Sequence, residues 1–180
     1  TNLRAMLAYA SVSHVGLVLL GIAAFTLQGV QGAVLQLLNF TLVAGGAFLA
    51  TAFLQRRLGS TDVAAMGGAA RSMPRLAGFL LFFGLAGMGL PGTSGFPAEF
   101  LLLTATLQTH AGAGLAALFA LVLGAAYFLD LYRRTCLGPV VFETVARAQD
   151  LRPREFWLLL GFAAVILCFG LFPALLLNLM

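Results

Sequence analysis

Proton chemistry inside an apolar chain needs an ionisable side chain away from water. Two positions supply one: His14, in Ser11-Val12-Ser13-His14, and Glu99, just after Pro91-Gly92-Thr93-Ser94-Gly95. The remaining acids stand near arginines between the apolar runs. A charge at the centre of a bilayer costs about 2.5 to 3.5 kcal/mol on insertion scales. Keeping a glutamic acid protonated at pH 7, from a reference pKa of about 4.3, costs about 3.7 kcal/mol. The two costs nearly balance, so a small change in neighbouring charge or hydration switches the protonation state, as a proton relay requires. The competing reading of Glu99 is a structural carboxyl that bonds amides freed at a helix break. For His14 it is a neutral imidazole bonded to a hydroxyl or carbonyl.

Polar residues accompany both groups. Ser11 and Ser13 flank His14, and Gln36, Asn39 and Thr41 make the second apolar run partly polar. These five are candidates for a hydration or polar axis, or for interhelical hydrogen bonds worth nearer ~0.6 than ~2 kcal/mol each. Pro91, Gly92 and Gly95 mark the helix break, because proline lacks a backbone donor and glycine admits positive φ. Asp130, beside Arg133 and Arg134, reads as a solvated interfacial ion pair, and His110 as an exposed residue at an arginine-free face. There is no metal-ligand spacing, no phosphate-binding glycine loop and no nucleophile with a nearby base. No catalytic residue, metal site, redox-active group or cofactor is therefore expected.

The elements that position these residues follow from composition. Hydrophobic residues make up 61% of the 180 and charged ones 9%, against roughly 25% charged in soluble proteins. A mean hydropathy of +1.01 spreads that character over nearly every segment, so the lipid bilayer is the expected partner. The net charge of +4 comes from ten arginines and no lysine. They sit in short clusters between apolar runs, without a basic stripe or aromatic platform, which excludes nucleic acid and makes them topology signals.

Crossing about 30 Å of hydrocarbon takes about 20 helical residues, and residues 6–27, 32–54, 114–132 and 156–177 qualify. Strands are excluded, since each run far exceeds the roughly 10 residues a barrel strand needs and lacks alternation. Residues 75–110 form two apolar pieces too short to cross comfortably, separated by the break. Two crossings, a re-entrant pair or one interrupted helix could result. Arginine placement discriminates. With a single crossing, Arg4, the loop of Arg56, Arg57, Arg71 and Arg75, and the loop of Arg133, Arg134, Arg147, Arg152 and Arg154 share one face. Two crossings would put the rich loops on opposite faces.

The predicted fold is therefore an all-α polytopic transmembrane bundle of about five crossings, with one helix interrupted near residues 91–95. It lies in the cell inner membrane with the arginine-rich loops cytoplasmic, and Tyr132 and Trp157 near that interface. Irregular backbone at depth is tolerated only against protein or a water-filled cavity, and discontinuous helices recur in transporters. The two cysteines lie at different depths and are not expected to bridge. The chain opens at Thr1 directly into an apolar run, which reads as one transmembrane domain over 1–180, the C-terminal fragment of a longer subunit. A signal peptide is disfavoured by the embedded His14 and the lack of an A-x-A-like site.

Four stretches, in order, carry a family resemblance: residues 7–16 (LAYASVSHVG), 31–36 (QGAVLQ), 66–68 (MGG) and 89–100 (GLPGTSGFPAEF). Together they resemble the antiporter-like subunits of NADH:quinone oxidoreductase, complex I. The M-type, called chain 4 in mitochondria, is most similar, over essentially the whole chain. The serine-valine-serine-histidine form separates it from L-type relatives, which usually have glutamine at the place of His14. The resemblance implies a proton-translocating subunit among other membrane subunits of a multisubunit complex, with buried ionisable groups along the membrane ending at Glu99 in an interrupted helix. The same module occurs in multisubunit cation/proton antiporters, membrane-bound hydrogenases and inorganic-carbon uptake systems, which is one alternative. A structural membrane subunit with a decayed relay is another. This sequence departs from the family at Phe40 and Thr41, where a histidine and glycine are usual, and at Asn2, Arg4 and Ala5, where an aspartate and a lysine-arginine pair are usual. The departures favour a divergent paralogue.

Overall fold

The computed structural model describes residues 2–140 and 142–177. Helix α1, Leu3–Ala23, starts at Asn2, whose Oδ1 accepts from Arg4 N at 2.9 Å. Helix α2, Leu27–Leu58, has Thr26 as its N-cap and stops at Gly59, a left-handed residue with φ 73°. A 3₁₀ turn, Val63–Ala65, and the short helix α3, Ala69–Ser72, lead into α4, Pro74–Gly87, and α5, Gly95–Thr109. Helix α6, Ala111–Tyr132, continues as a π-helical turn, Arg133–Leu137. The short α7, Glu143–Ala146, precedes α8, Pro153–Leu171, and α9, Ala174–Leu177. The described residues contain no strand, only an isolated bridge between Asn2 and Asp62.

Four helical stretches, Leu3–Ala23, Leu27–Leu58, Ala111–Leu137 and Pro153–Leu171, are long and apolar enough to span a bilayer. The fifth crossing is the pair α4 and α5. Phe83 of α4 lies against Gly46 in the C-terminal half of α2, while Leu101 and Leu102 of α5 lie against Gly32 in its N-terminal half. Gln28 Nε2 also donates to Thr104 Oγ1 at 3.0 Å. The two pieces therefore follow one another along a single helix, antiparallel to it, as one interrupted crossing.

Helix α2 is the central post. At a rise of about 1.5 Å per residue it is about 48 Å long, longer than the hydrocarbon core, and it extends beyond both ends of the expected 32–54. Nothing in 27–58 breaks it, and its limits are set by the Thr26 cap and the left-handed Gly59. Its glycines admit neighbours at close range: Gly29 meets Gly21 of α1, and Gly45 meets the Phe162 ring of α8. Small residues at crossings are the usual device where lipid gives no hydrophobic drive between helices. Helix α8 stops at Leu171, before Phe172 and Pro173, because the residue before proline is pushed out of helical conformation.

The arginine-bearing segments converge at one end. Arg57 donates to Gln149 O at 2.7 Å, Phe53 O at 2.9 Å and Asp150 O at 3.2 Å, and pairs with Glu155. The Asp150 carboxylate accepts from Arg75 N at 2.9 Å and Leu76 N at 3.1 Å, an anion on the N-terminus of α4. Leu3 N bonds Thr61 O at 2.9 Å. Asp130 pairs with Arg133 and Arg134, as the spacing suggested, and His110 is exposed between α5 and α6. Both cysteines are free. Of the two expected interface aromatics, Trp157 is exposed, but Tyr132 is buried and donates to Ala77 O at 3.3 Å; the ring is used for packing.

Gly170 and Gly161 of α8 give a paired test. A Cβ on Gly170 would strike the backbone of Gly92 and Thr93, whereas nothing lies within 4 Å of one on Gly161. Gly170→Ala is expected to cost at least the ~1 to 3 kcal/mol of overpacking. Gly161→Ala should be neutral, or stabilising by up to about 1 kcal/mol from improved helix propensity. Thermal unfolding in lipid nanodiscs checks both.

Candidate functional site

Between α4 and α5 the chain leaves helical geometry over residues 88–94, with Gly89 at φ 69° and Gly92 at φ 92°. The freed groups find local and tertiary partners. Leu90 O accepts from Thr93 N at 3.0 Å and from Thr93 Oγ1 at 2.7 Å. Ser94 N donates to Ile166 O of α8 at 3.1 Å, and Ser94 Oγ donates to Asn39 Oδ1 of α2 at 2.8 Å. Gly170 packs on Gly92 and Thr93. Thr93 and Ser94 are thus buried against α2 and α8, while Leu90 and Pro91 on the outer side of the break are exposed; irregular backbone at membrane depth survives against protein. Pro97 falls in the first turn of α5, where its missing N–H would have no helical acceptor.

Glu99 lies one turn into α5, at the positive end of that helix. Its carboxyl rests against the Cα of Gly89, on the inner wall of the break. Gln36, Asn39 and Glu99 are 0%, 1% and 6% exposed, which places all three inside protein. The Glu99 carboxyl faces the Gln36 amide. The same amide also reaches α1, where Gln36 Nε2 lies 2.9 Å from His14 Nδ1. The His14 ring stacks on Phe40 with centroids 4.8 Å apart. A row therefore runs from His14 through Gln36 to Glu99, with Asn39 beside it at the break.

The other expected polar residues stand differently. Ser11 is spent on its own helix, its Oγ donating to Leu7 O at 3.0 Å. Ser13 lines, with His14 and Phe40, a largely apolar cavity of about 370 Å³ between α1, α2, α4 and α6. Thr41 is exposed and donates to Leu37 O at 2.8 Å, so it lies off the row; five residues beyond Gln36 puts it on another face of α2. Pro91 and Gly92 form the outer bend, and Gly95 faces Asn39 and the Ala86 carbonyl. Sequence reasoning missed Gly89, whose left-handed conformation leaves room for the carboxyl. The Gly89-Leu90-Pro91-Gly92 pattern was the available signal. Among the described residues no group of three or more His, Cys, Asp or Glu could hold a metal ion.

A bundle of apolar crossings around one interrupted helix, with a buried carboxyl at the interruption, is an arrangement that recurs in membrane transport proteins. Residues 1–124 match the family model "NADH:quinone oxidoreductase/Mrp antiporter, TM", and the chain belongs to that family. It is 38% identical over 178 residues to NADH-quinone oxidoreductase subunit M of Rhodobacter capsulatus, covering 99% of this chain and 35% of that protein. Respiratory complex I from Thermus thermophilus contains a chain that superposes with a TM-score of 0.90 at 32% identity, over 96% of this chain and 36% of that one. A chain of the Mrp complex from Dietzia sp. DQ12-45-1b shares the fold, with a TM-score of 0.86 at 23% identity, over 99% of this chain and 41% of that one. The chain spans about a third of the length of the curated relatives it matches.

Gly89 and Gly92 separate strain from site geometry. Both have positive φ, so alanine at either carries a backbone cost of order 1 to 3 kcal/mol. Only at Gly89 would the new Cβ also meet the Glu99 carboxyl; at Gly92 nothing lies within 4 Å. Gly89→Ala is expected to be the more destabilising in thermal melts and to displace Glu99, seen as a shifted carboxyl C=O stretch in infrared spectra. Gly92→Ala should leave that band in place.

Proposed function

We propose that this chain is part of the proton-translocating membrane arm of a respiratory NADH:quinone oxidoreductase, with Glu99 as proton carrier and His14 as its relay or hydration partner. Within that reading it is a C-terminal piece of an M-type subunit, surrounded by other membrane subunits, and it does no redox chemistry itself. The observation that carries the reading is the Glu99 carboxyl, buried at a mid-helix interruption and aligned with His14 across the Gln36 amide. The freed backbone groups at Thr93 and Ser94 bond elsewhere, so they do not occupy the carboxyl. The identities to subunit M and to the complex I chain favour this assignment over a cation/proton antiporter, whose similarity rests on fold alone.

The bilayer orientation follows from charge. The arginine loops gather at one end, and the positive-inside rule puts that end in the cytoplasm. Cysteine at Arg71 should react with a membrane-impermeant maleimide from the cytoplasmic side, and cysteine at His110 from the opposite side. Labelling of both from one side contradicts the orientation and the single crossing.

Glu99→Gln in the assembled complex keeps the shape and removes the exchangeable charge. It is expected to abolish coupled proton movement while assembly persists. Undiminished translocation per electron pair would defeat the proposed role.

A further inference from the structure

The ten arginines gather at one end of the bundle, and every acid except Glu99 stands there with them. Those acids are already engaged. Glu155 pairs with Arg57, Glu143 with Arg147, and Asp130 with Arg133 and Arg134. The Asp150 carboxylate accepts from the backbone N–H groups of Arg75, Leu76 and Leu151. Arg75, Arg152 and Arg154 are exposed and form no salt bridge among the described residues. Arg152 neighbours Glu155, whose carboxylate Arg57 already holds.

These three arginines converge where α4 and α8 begin. Arg75 lies in the first turn of α4, and its guanidinium stands over the Phe156 ring of α8, 5.8 Å from the centroid. Phe156 is fixed in turn by edge contacts with Phe79 at 5.5 Å and Trp157 at 5.9 Å. An aromatic neighbour attracts the cation without consuming its N–H fork, which remains available to grip phosphate oxygens in pairs. Arg152 is the N-cap of α8, and Arg154, three residues before Trp157, shares a face of that helix with it. Trp157 is 68% exposed, and no described residue accepts from its indole N–H. Such rings sit at headgroup level in a bilayer. Further along α8 the outward surface is apolar, with Leu158 and Val165 exposed.

We propose that Arg75, Arg152, Arg154 and Trp157 bind the phosphate of one anionic phospholipid in the leaflet at the arginine end, its acyl chains lying along α8 over Leu158 and Val165. Charge complementarity carries the assignment. Three cations without a carboxylate of their own meet at headgroup depth, a donor ring stands among them, and apolar surface follows directly below. A soluble anion would leave the ring and that apolar surface unused. The bound phosphate offsets the mutual repulsion of the arginines and so ties α4 to α8 at their first turns, independently of Glu99.

Native mass spectrometry of the intact membrane complex tests this, with phosphatidylglycerol, phosphatidylcholine or inorganic phosphate added after delipidation. The subunit released from the complex is expected to retain one phosphatidylglycerol in preference to phosphatidylcholine, and inorganic phosphate should not displace it. Arg75→Gln with Arg154→Gln is expected to weaken retention about fivefold for each arginine, the strength of a surface arginine's attraction to an anionic leaflet. Arg133→Gln with Arg134→Gln removes the same charge elsewhere at that end and should change retention little. Equal retention of the two lipids, displacement by inorganic phosphate, or equal losses in the two double variants overturns the proposal. So does a map of the complex in which an acidic segment of another subunit is seated on Arg75 and Arg154.

Discussion

Hydrocarbon offers no hydrogen bonds, so a backbone that leaves helical geometry inside a bilayer must find every partner within the protein. In this chain the interruption at residues 88–94 is met by three elements at once. Its own turn takes Thr93, α8 supplies the Ile166 carbonyl and the bare surface of Gly170, and α2 supplies Asn39. The bundle is arranged around that requirement. Helix α2 must reach past the break on both sides to hold α4 and α5 in line, and α8 must run deep enough to cover it. Small residues at Gly32, Gly45 and Gly46 allow that approach.

The same constraint shapes the surroundings of Glu99. A helix restarting at mid-depth places its first turns, and hence Glu99, near the positive end of a short dipole and against the inside of the bend at Gly89. An uninterrupted helix through residues 74–109 would offer neither. The carboxyl is thus enclosed by protein instead of lipid, with amides within reach and charged side chains confined to the arginine end, where Arg57, Asp150 and Glu155 tie α2, α4 and α8 together.

Much of this was legible in the residues. Long apolar runs gave the crossings, Pro91 and its glycines gave the break, and the arginine clusters chose one interrupted crossing over two, because a bias in charge is a global property that sequence preserves. The ends of α2 were read short, since an apolar window records hydrophobicity whereas the helix is ended by capping at Thr26 and Gly59. Spacing alone separates Thr41 from Gln36, yet composition grouped them. Pairings were invisible: nothing in the sequence tells that Gln36 meets His14, that Tyr132 is buried against Ala77, or that Gly170 lies on Thr93. Those contacts depend on how helices separated by tens of residues are turned about their axes, which packing decides.

The central claim is that Glu99 sits within an interrupted crossing, inside the protein and at mid-membrane depth. An electron cryomicroscopy map of the assembled complex in lipid, sharp enough to show side chains, tests it most directly. The account predicts non-helical density over residues 88–94 midway through the bilayer, with the Glu99 carboxyl turned to Gln36 and Gly89. Continuous helix from Pro74 to Thr109, or a Glu99 side chain turned to lipid or bulk water, would contradict it.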